Sequence, residues 1–116
     1  KETIMPSGNL PILTWTVAAA GALAANRFVT QAGAYPAAAA KAYGVTRTVA
    51  AAGDLVPVDV LGTTIVECGG AITKDAGLEV DAQGRAVTLS AGKAVGRAME
   101  DGVSGGFIEV LLLPSA

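Results

Sequence analysis

Short stretches of alternating apolar and polar residues, each ended by a small-residue turn, recur along the whole chain. Near the N-terminus, Leu13, Trp15 and Val17 fall on one side of an extended segment while two threonines fall on the other. A period of two is typical of a β-strand with one buried face. Turns such as Ala52-Gly53 are spaced irregularly, which excludes a solenoid of fixed period and favours an antiparallel β domain.

The same alternation predicts a series of strands. They cover residues 13–17, 27–31, 43–48, 55–61, 63–68, 78–81, 85–89, 93–99 and 106–113. Gly84 supplies the positive φ that a hairpin turn needs, so 78–81 and 85–89 form the clearest hairpin. The strands on either side of Gly62 are predicted to form a hairpin or a sharp corner. Pro57 cannot donate to a ladder, which predicts an edge strand or a bulge there.

Two alanine-rich segments, Ala18 to Ala25 and Ala37 to Ala42, are candidates for helix. Both are short, and Gly21 and Pro36 interrupt or border them, so one or two helical turns are the most we expect, and an irregular loop is the preferred interpretation. The sequence therefore predicts an all-β protein: a small antiparallel β-barrel or sandwich-like domain with Gly-rich turns over residues 12–116.

An extended N-terminal arm is predicted over residues 1–11. It carries Pro6 and Pro11 together with the scattered apolar residues Ile4, Met5 and Leu10. Such a segment cannot form regular structure alone but can lie along another protein's surface. A frayed terminus is the alternative.

Side chains that perform catalysis near neutral pH are scarce. The chain has no His, and Cys68 is its only thiol, which we expect to be buried and unreactive. Acidic residues at 67, 79, 100 and 109 show no spacing that defines a catalytic pair. The acidic turns at 75–77 and 81–84 lack the dense oxygen ligands of a calcium loop. No enzyme activity, cofactor or metal is predicted.

The net charge and the apolar content of the chain limit the kinds of partner that it is expected to bind. The net charge is −2 and the eight Lys and Arg residues are dispersed, so direct nucleic-acid binding is not expected. Apolar runs are too short for a membrane span, and a secretory signal is not expected. Apolar residues make up 52% of the chain and charged residues 16%, which indicates that some apolar faces meet other subunits.

The segment Phe107 to Leu113 is apolar on both faces except at Glu109. This pattern predicts a central strand or a strand with one face covered by a neighbouring subunit. Phe107, Leu111 and Leu113 are the candidate self-association residues.

Five segments together resemble the capsid cement, or decoration, proteins of tailed bacteriophages. They are residues 42–46 (AYGVT), 52–58 (AGDLVPV), 77–86 (GLEVDAQGRA), 96–100 (GRAME) and 108–114 (IEVLLLP). Their order and spacing carry the resemblance, which extends over residues 14–114.

The resemblance implies a structural protein on the outer surface of the virion. Such a protein docks on the expanded head and ties neighbouring major capsid protein subunits together, without catalysis, and commonly as a homotrimer. The arm then supplies the candidate capsid contacts Ile4, Met5, Pro6, Leu10 and Pro11. Another virion or surface adhesive β module, such as a fibre or carbohydrate-binding domain, is the alternative, although five aromatic residues offer a sugar little to stack on.

Overall fold

The computed structural model describes residues 10–113, and within that range every regular element is a β-strand. The strands are β1 (Leu10–Ala18), β2 (Phe28–Val29), β3 (Gly44–Thr46), β4 (Leu55–Glu67), β5 (Gly77–Val80), β6 (Ala86–Thr88), β7 (Gly96–Ala98) and β8 (Phe107–Leu112). The prediction of an all-β domain is confirmed.

Strand β4 is the element around which the others are arranged. Val58 has partners in both β1 and β3, and Thr63 has partners in both β1 and β8. A strand has two hydrogen-bonding edges, so β3 and β8 follow one another along one edge of β4 while β1 occupies the other. The strand order is β2-β3-β4-β8-β7-β5-β6, with β1 added on β4.

The sheet curls until it nearly closes into a barrel. An isolated bridge between Cys68 and Ala86 joins the end of β4 to β6. The Phe28 N–H donates to the Gly84 carbonyl at 2.7 Å, which ties β2 to the turn between β5 and β6. Closure of this kind leaves few unpaired strand edges.

Two apolar cores lie on either side of the bent sheet. The barrel core contains Phe28, Val45, Val66, Cys68, Ile72, Leu78, Val80, Ala86, Val95, Ala98, Ile108, Val110 and Leu112. The second core contains Val17, Ala19, Leu23, Val29, Ala50, Val56 and Val58. Because β4 contributes side chains to both cores, it couples the two halves of the domain.

Of the two alternatives predicted at Gly62, a hairpin or a sharp corner, the hairpin is wrong, since residues 55–67 form one continuous strand. Gly62 has a φ of 99° and sits beside a β-bulge in β1. The glycine changes the direction of the strand without ending it. A turn-like residue is therefore used here to bend a strand that pairs on both sides.

Pro57 does not mark an edge strand or a bulge, because β4 is central and Pro57 pairs in register with Thr16. The Pro57 carbonyl accepts the Arg47 N–H at 3.0 Å. The N–H and C=O of a strand residue point to the same edge, so the missing donor faces Arg47, one residue past the end of β3. The ladder loses only a terminal bond.

Three other local predictions are confirmed. The hairpin of β5 and β6 turns at Gly84, whose φ is 75°. Strands β7 and β8 pair across residues 99–106. The alanine-rich segments are irregular beyond the end of β1, and Ala39 has a φ of 65°, which a right-handed helix does not contain.

Cys68 is fully buried in the barrel core, as predicted. Burial raises the pKa of its thiol, and the nearby carboxylates of Glu100 and Glu67 raise it further. Both effects disfavour the thiolate, which is the nucleophilic form.

Gly62→Ala should destabilise the fold by about 1–3 kcal/mol, because a Cβ at this position collides with the carbonyl oxygen of Leu10 and the positive φ strains any other residue. Gly53→Ala is the matched control, since Gly53 has a φ of 88° and open space around it. Urea unfolding of both variants measures the difference. Equal losses would show that the contact with β1 contributes nothing.

Cys68 should react with a thiol reagent at pH 8 only as fast as the protein unfolds. The raised pKa and complete burial both suppress the thiolate in the folded state. Labelling followed by mass spectrometry, with a urea-unfolded sample as the control, measures the rate. Rapid labelling of the folded protein would contradict the buried position.

Candidate docking surface

Strand β8 separates its apolar residues onto two faces. Ile108, Val110 and Leu112 are buried in the barrel core. Phe107, Leu111 and Leu113, the predicted self-association residues, are 39–42% exposed. The strand lies between β4 and β7, so it is central, and its outward face still carries large apolar side chains.

The sheet register brings β1 and β8 onto the same face. Thr63 is paired with Leu10 on one side and with Leu111 on the other. Directly paired residues carry their side chains on the same face, and two strand spacings separate Leu10 from Leu111 by about 10 Å. Leu10, predicted as a capsid contact, and Leu111, predicted for self-association, therefore belong to one surface.

We call this surface the outer face. It comprises Leu10, Thr63, Arg97, Met99, Phe107, Glu109, Leu111 and Leu113. Leu10 is 74% exposed, the highest value among the apolar residues of this face. Met99 joins it because its N–H donates to the Glu109 carbonyl at 3.0 Å, which extends the pairing of β7 with β8 by one residue.

A hydrogen-bonded chain fixes the polar groups of the outer face. The Thr63 hydroxyl accepts the Leu10 N–H at 3.0 Å and donates to Glu109 Oε2 at 2.8 Å. The Glu109 N–H in turn donates to Glu100 Oε2 at 2.9 Å. These bonds hold β1 against the sheet, so a partner meets a preorganised surface.

One side of the outer face is a shallow groove with charged residues around an apolar floor. Leu111 and Met99 form the floor, and Lys74, Asp75 and Arg97 line the rim. Arg97 Nε lies 3.6 Å from Asp75 Oδ1, and both side chains are mostly exposed. Such a pair adds little stability and leaves its charges available to a partner. An apolar centre with a polar rim is the usual anatomy of a protein interface.

Strand β1 exposes more apolar surface than the alternation predicts. Val17 is buried, but Trp15 is 54% exposed and Ile12 is 81% exposed. Ile12 is the extra residue of a bulge between Pro11 and Leu13. The sequence signal for this surface is the absence of any charged residue from Leu10 to Ala18.

The predicted arm meets the described sheet at its last two residues. Leu10 and Pro11 are the first residues of β1 and pair with Thr63 and Gly62. Ile4, Met5 and Pro6 lie outside the described residues.

Several of the acidic residues considered above for a catalytic pair or a calcium loop accept hydrogen bonds within the domain. Glu67 accepts two hydrogen bonds from the guanidinium of Arg27, the shorter at 2.9 Å, and Glu79 accepts the N–H groups of Ser90 and Gly92. Asp81 closes its own turn through the N–H groups of two following residues. In residues 10–113 no three acidic or thiol side chains converge on a possible metal position. No helix in the same range is long and apolar enough to cross a bilayer.

Comparison with known proteins identifies relatives of this fold. The phage cement protein family matches residues 6–112. The crystal structure of the head fiber gp8.5 N base in bacteriophage phi29 superposes with a TM-score of 0.74 and 21% sequence identity, covering 89% of this chain and 95% of that one. No curated protein sequence matches the chain.

The family match covers nearly the whole chain. The chain belongs to the phage cement protein family and is a structural protein of the phage capsid.

Proposed function

We propose that this cement protein docks on the outer surface of the expanded phage head and ties neighbouring major capsid protein subunits together. The outer face is the observation that supports this role. Leu10, Leu111, Phe107 and Met99 are exposed large apolar residues on one side of a rigid sheet. Large apolar residues gathered on one face of a domain mark an interaction site.

Burial of its apolar side chains favours binding at the outer face. Burying an exposed leucine side chain stabilises a complex by about 1.5–3 kcal/mol when burial is complete. The hydrogen-bonded chain through Thr63 and Glu109 is already formed, so docking orders few polar groups. Leu10 and Pro11 of the predicted arm begin β1 at this face, and Ile4, Met5 and Pro6, which lie outside the described residues, stay proposed capsid contacts.

The role assigned is mechanical. It involves no reaction, cofactor, nucleic acid or membrane, and the acidic residues beside the outer face serve as hydrogen-bond acceptors. Cement proteins act by adding contacts between subunits, for which a closed sheet with an apolar face is suited.

Self-association is a second proposed use of the outer face. Phe107, Leu111 and Leu113 supply the contact, and a homotrimer is the favoured assembly. A trimer presents three copies of the arm to the shell, which strengthens attachment through effective concentration. A variant that keeps its solution mass but loses capsid binding would report on docking, and a variant that loses both would report on self-association.

A fibre-type adhesive module is the second candidate function. The likeness to a head fiber N base favours it as an alternative, although at 21% identity the likeness shows the fold alone. A carbohydrate-binding role would rely on Trp15 and Phe107, the aromatic residues that are most exposed in the described range. A glycan array with no bound sugar, alongside tight binding to capsids, favours the cement role.

Leu111→Asp should weaken binding to expanded, undecorated capsids by at least tenfold, about 1.4 kcal/mol, because it places a charge in the centre of the outer face. Val49→Asp is the matched control, since Val49 is 74% exposed in the connection between β3 and β4 and is not part of the outer face. Co-sedimentation with capsids measures affinity, and light scattering measures mass. Equal binding by both variants would place the docking surface elsewhere.

Deleting residues 1–9 should leave thermal unfolding nearly unchanged and weaken capsid binding at least tenfold, about 1.4 kcal/mol. The shortened chain still begins with β1 and keeps the Leu10–Thr63 bond. Calorimetry and co-sedimentation give the two quantities. Capsid binding as tight as that of the full chain would show that the arm contributes nothing to docking. Loss of folding would show that the arm is part of the domain.

A further inference from the structure

We propose that the open edge of β1 receives an extended segment of the major capsid protein as an added β-strand. This inference rests on the proposed function, because it names the position and mode of the contact with the shell. Strand addition supplies affinity through backbone hydrogen bonds and specificity through side chains on alternate positions.

The edge is open over most of its length. Within residues 10–113, β1 pairs with β4 alone. At its C-terminal end, Gly33 packs against the carbonyl of Ala18 and accepts the Ala20 N–H at 2.9 Å, so a loop covers that end. The stretch from Leu10 to Val17 has no such cover among the described residues.

The register shows which backbone groups face outward. The Pro57 carbonyl points toward β3, where it accepts the Arg47 N–H. Opposite residues in an antiparallel pair point either toward each other or both away, so Thr16, the partner of Pro57, directs its N–H and C=O away from β4. By the same alternation Thr14 does so too. The Ala19 N–H, which donates to the Asp54 carbonyl at 2.8 Å, confirms that the odd-numbered residues after the bulge at Ile12 face β4.

The residues of β1 are suited to pairing with an uncharged strand. Proteins usually protect exposed edges with charged side chains, prolines or bulges. Here no charged residue occurs from Leu10 to Ala18, and protection is confined to Pro11 and the bulge at Ile12. Trp15 and Ile12 leave exposed apolar surface beside the edge for the side chains of the incoming strand.

A second copy of this chain fits the edge less well. Antiparallel pairing of two β1 strands relates the copies by a two-fold axis perpendicular to the sheet. Both outer faces then lie on the same side of the joined sheet and stay uncovered. An eight-residue strand contact is about 27 Å long and about 10 Å wide, or about 270 Å² per partner, against the roughly 800 Å² per partner of a stable interface. A capsid surface can supply the strand and cover the outer face together.

Thr16→Pro tests the inference, because it removes one outward N–H and no β1–β4 hydrogen bond. Thr16→Val is the matched control, since it keeps the N–H and a β-branched side chain. Binding of both variants to expanded, undecorated capsids is measured by co-sedimentation, after unfolding curves establish that both are folded. We expect Thr16→Pro to bind at least tenfold more weakly and Thr16→Val to bind within about twofold of wild type.

If Thr16→Pro does not fold, Thr16→Lys replaces it, because a lysine keeps the fold's hydrogen bonds and protects the edge; the same loss is expected. Wild-type affinity in the edge variant would overturn the inference and leave the proposed function standing. Failure of the wild-type protein itself to bind capsids would overturn both. A change in solution mass with unchanged capsid affinity would assign the edge to a second copy, which also overturns the inference.

Discussion

Pairing of β4 along both of its edges is the constraint on which the structure depends. The strand contributes to the second core before Gly62 and to the barrel core after it, with β1 paired across the change. Gly62 makes this possible, because its positive φ redirects the strand and its missing side chain lets the Leu10 carbonyl approach. The position of Leu10 beside Thr63, and with it the outer face, depends on Gly62 together with the bulge at Ile12.

The same arrangement explains how a small domain can act as an adhesive. Near-closure of the barrel satisfies most strand edges, and among the described residues no buried side-chain nitrogen or oxygen lacks a hydrogen-bond partner. Two features of the described residues remain uncovered at the surface. They are the apolar side chains of the outer face and the unpaired backbone edge of β1. A rigid body with two adjacent adhesive features is suited to holding capsid subunits in a fixed relation.

The features that could be predicted from the sequence are those that depend on residues close together in the chain. The turn at Gly84 and the pairing of β7 with β8 across a short connection were predictable because each depends on residues close together in the sequence. The continuous course of β4 was not, since a glycine inside a strand resembles a turn. The outer face was only half predictable. Leu10 and Leu111 were both candidates, but their proximity depends on pairing with Thr63, which is 53 residues from Leu10 and 48 from Leu111.

The central claim is that the outer face and the β1 edge meet the capsid. A cryo-electron microscopy reconstruction of expanded capsids saturated with this protein tests it most directly, because the orientation of the domain on the shell can be read from the map. The account predicts that β1 and the outward side of β8 lie against the major capsid protein. A domain that turns this face to solvent, and contacts the shell through the β5–β6 hairpin, would contradict it.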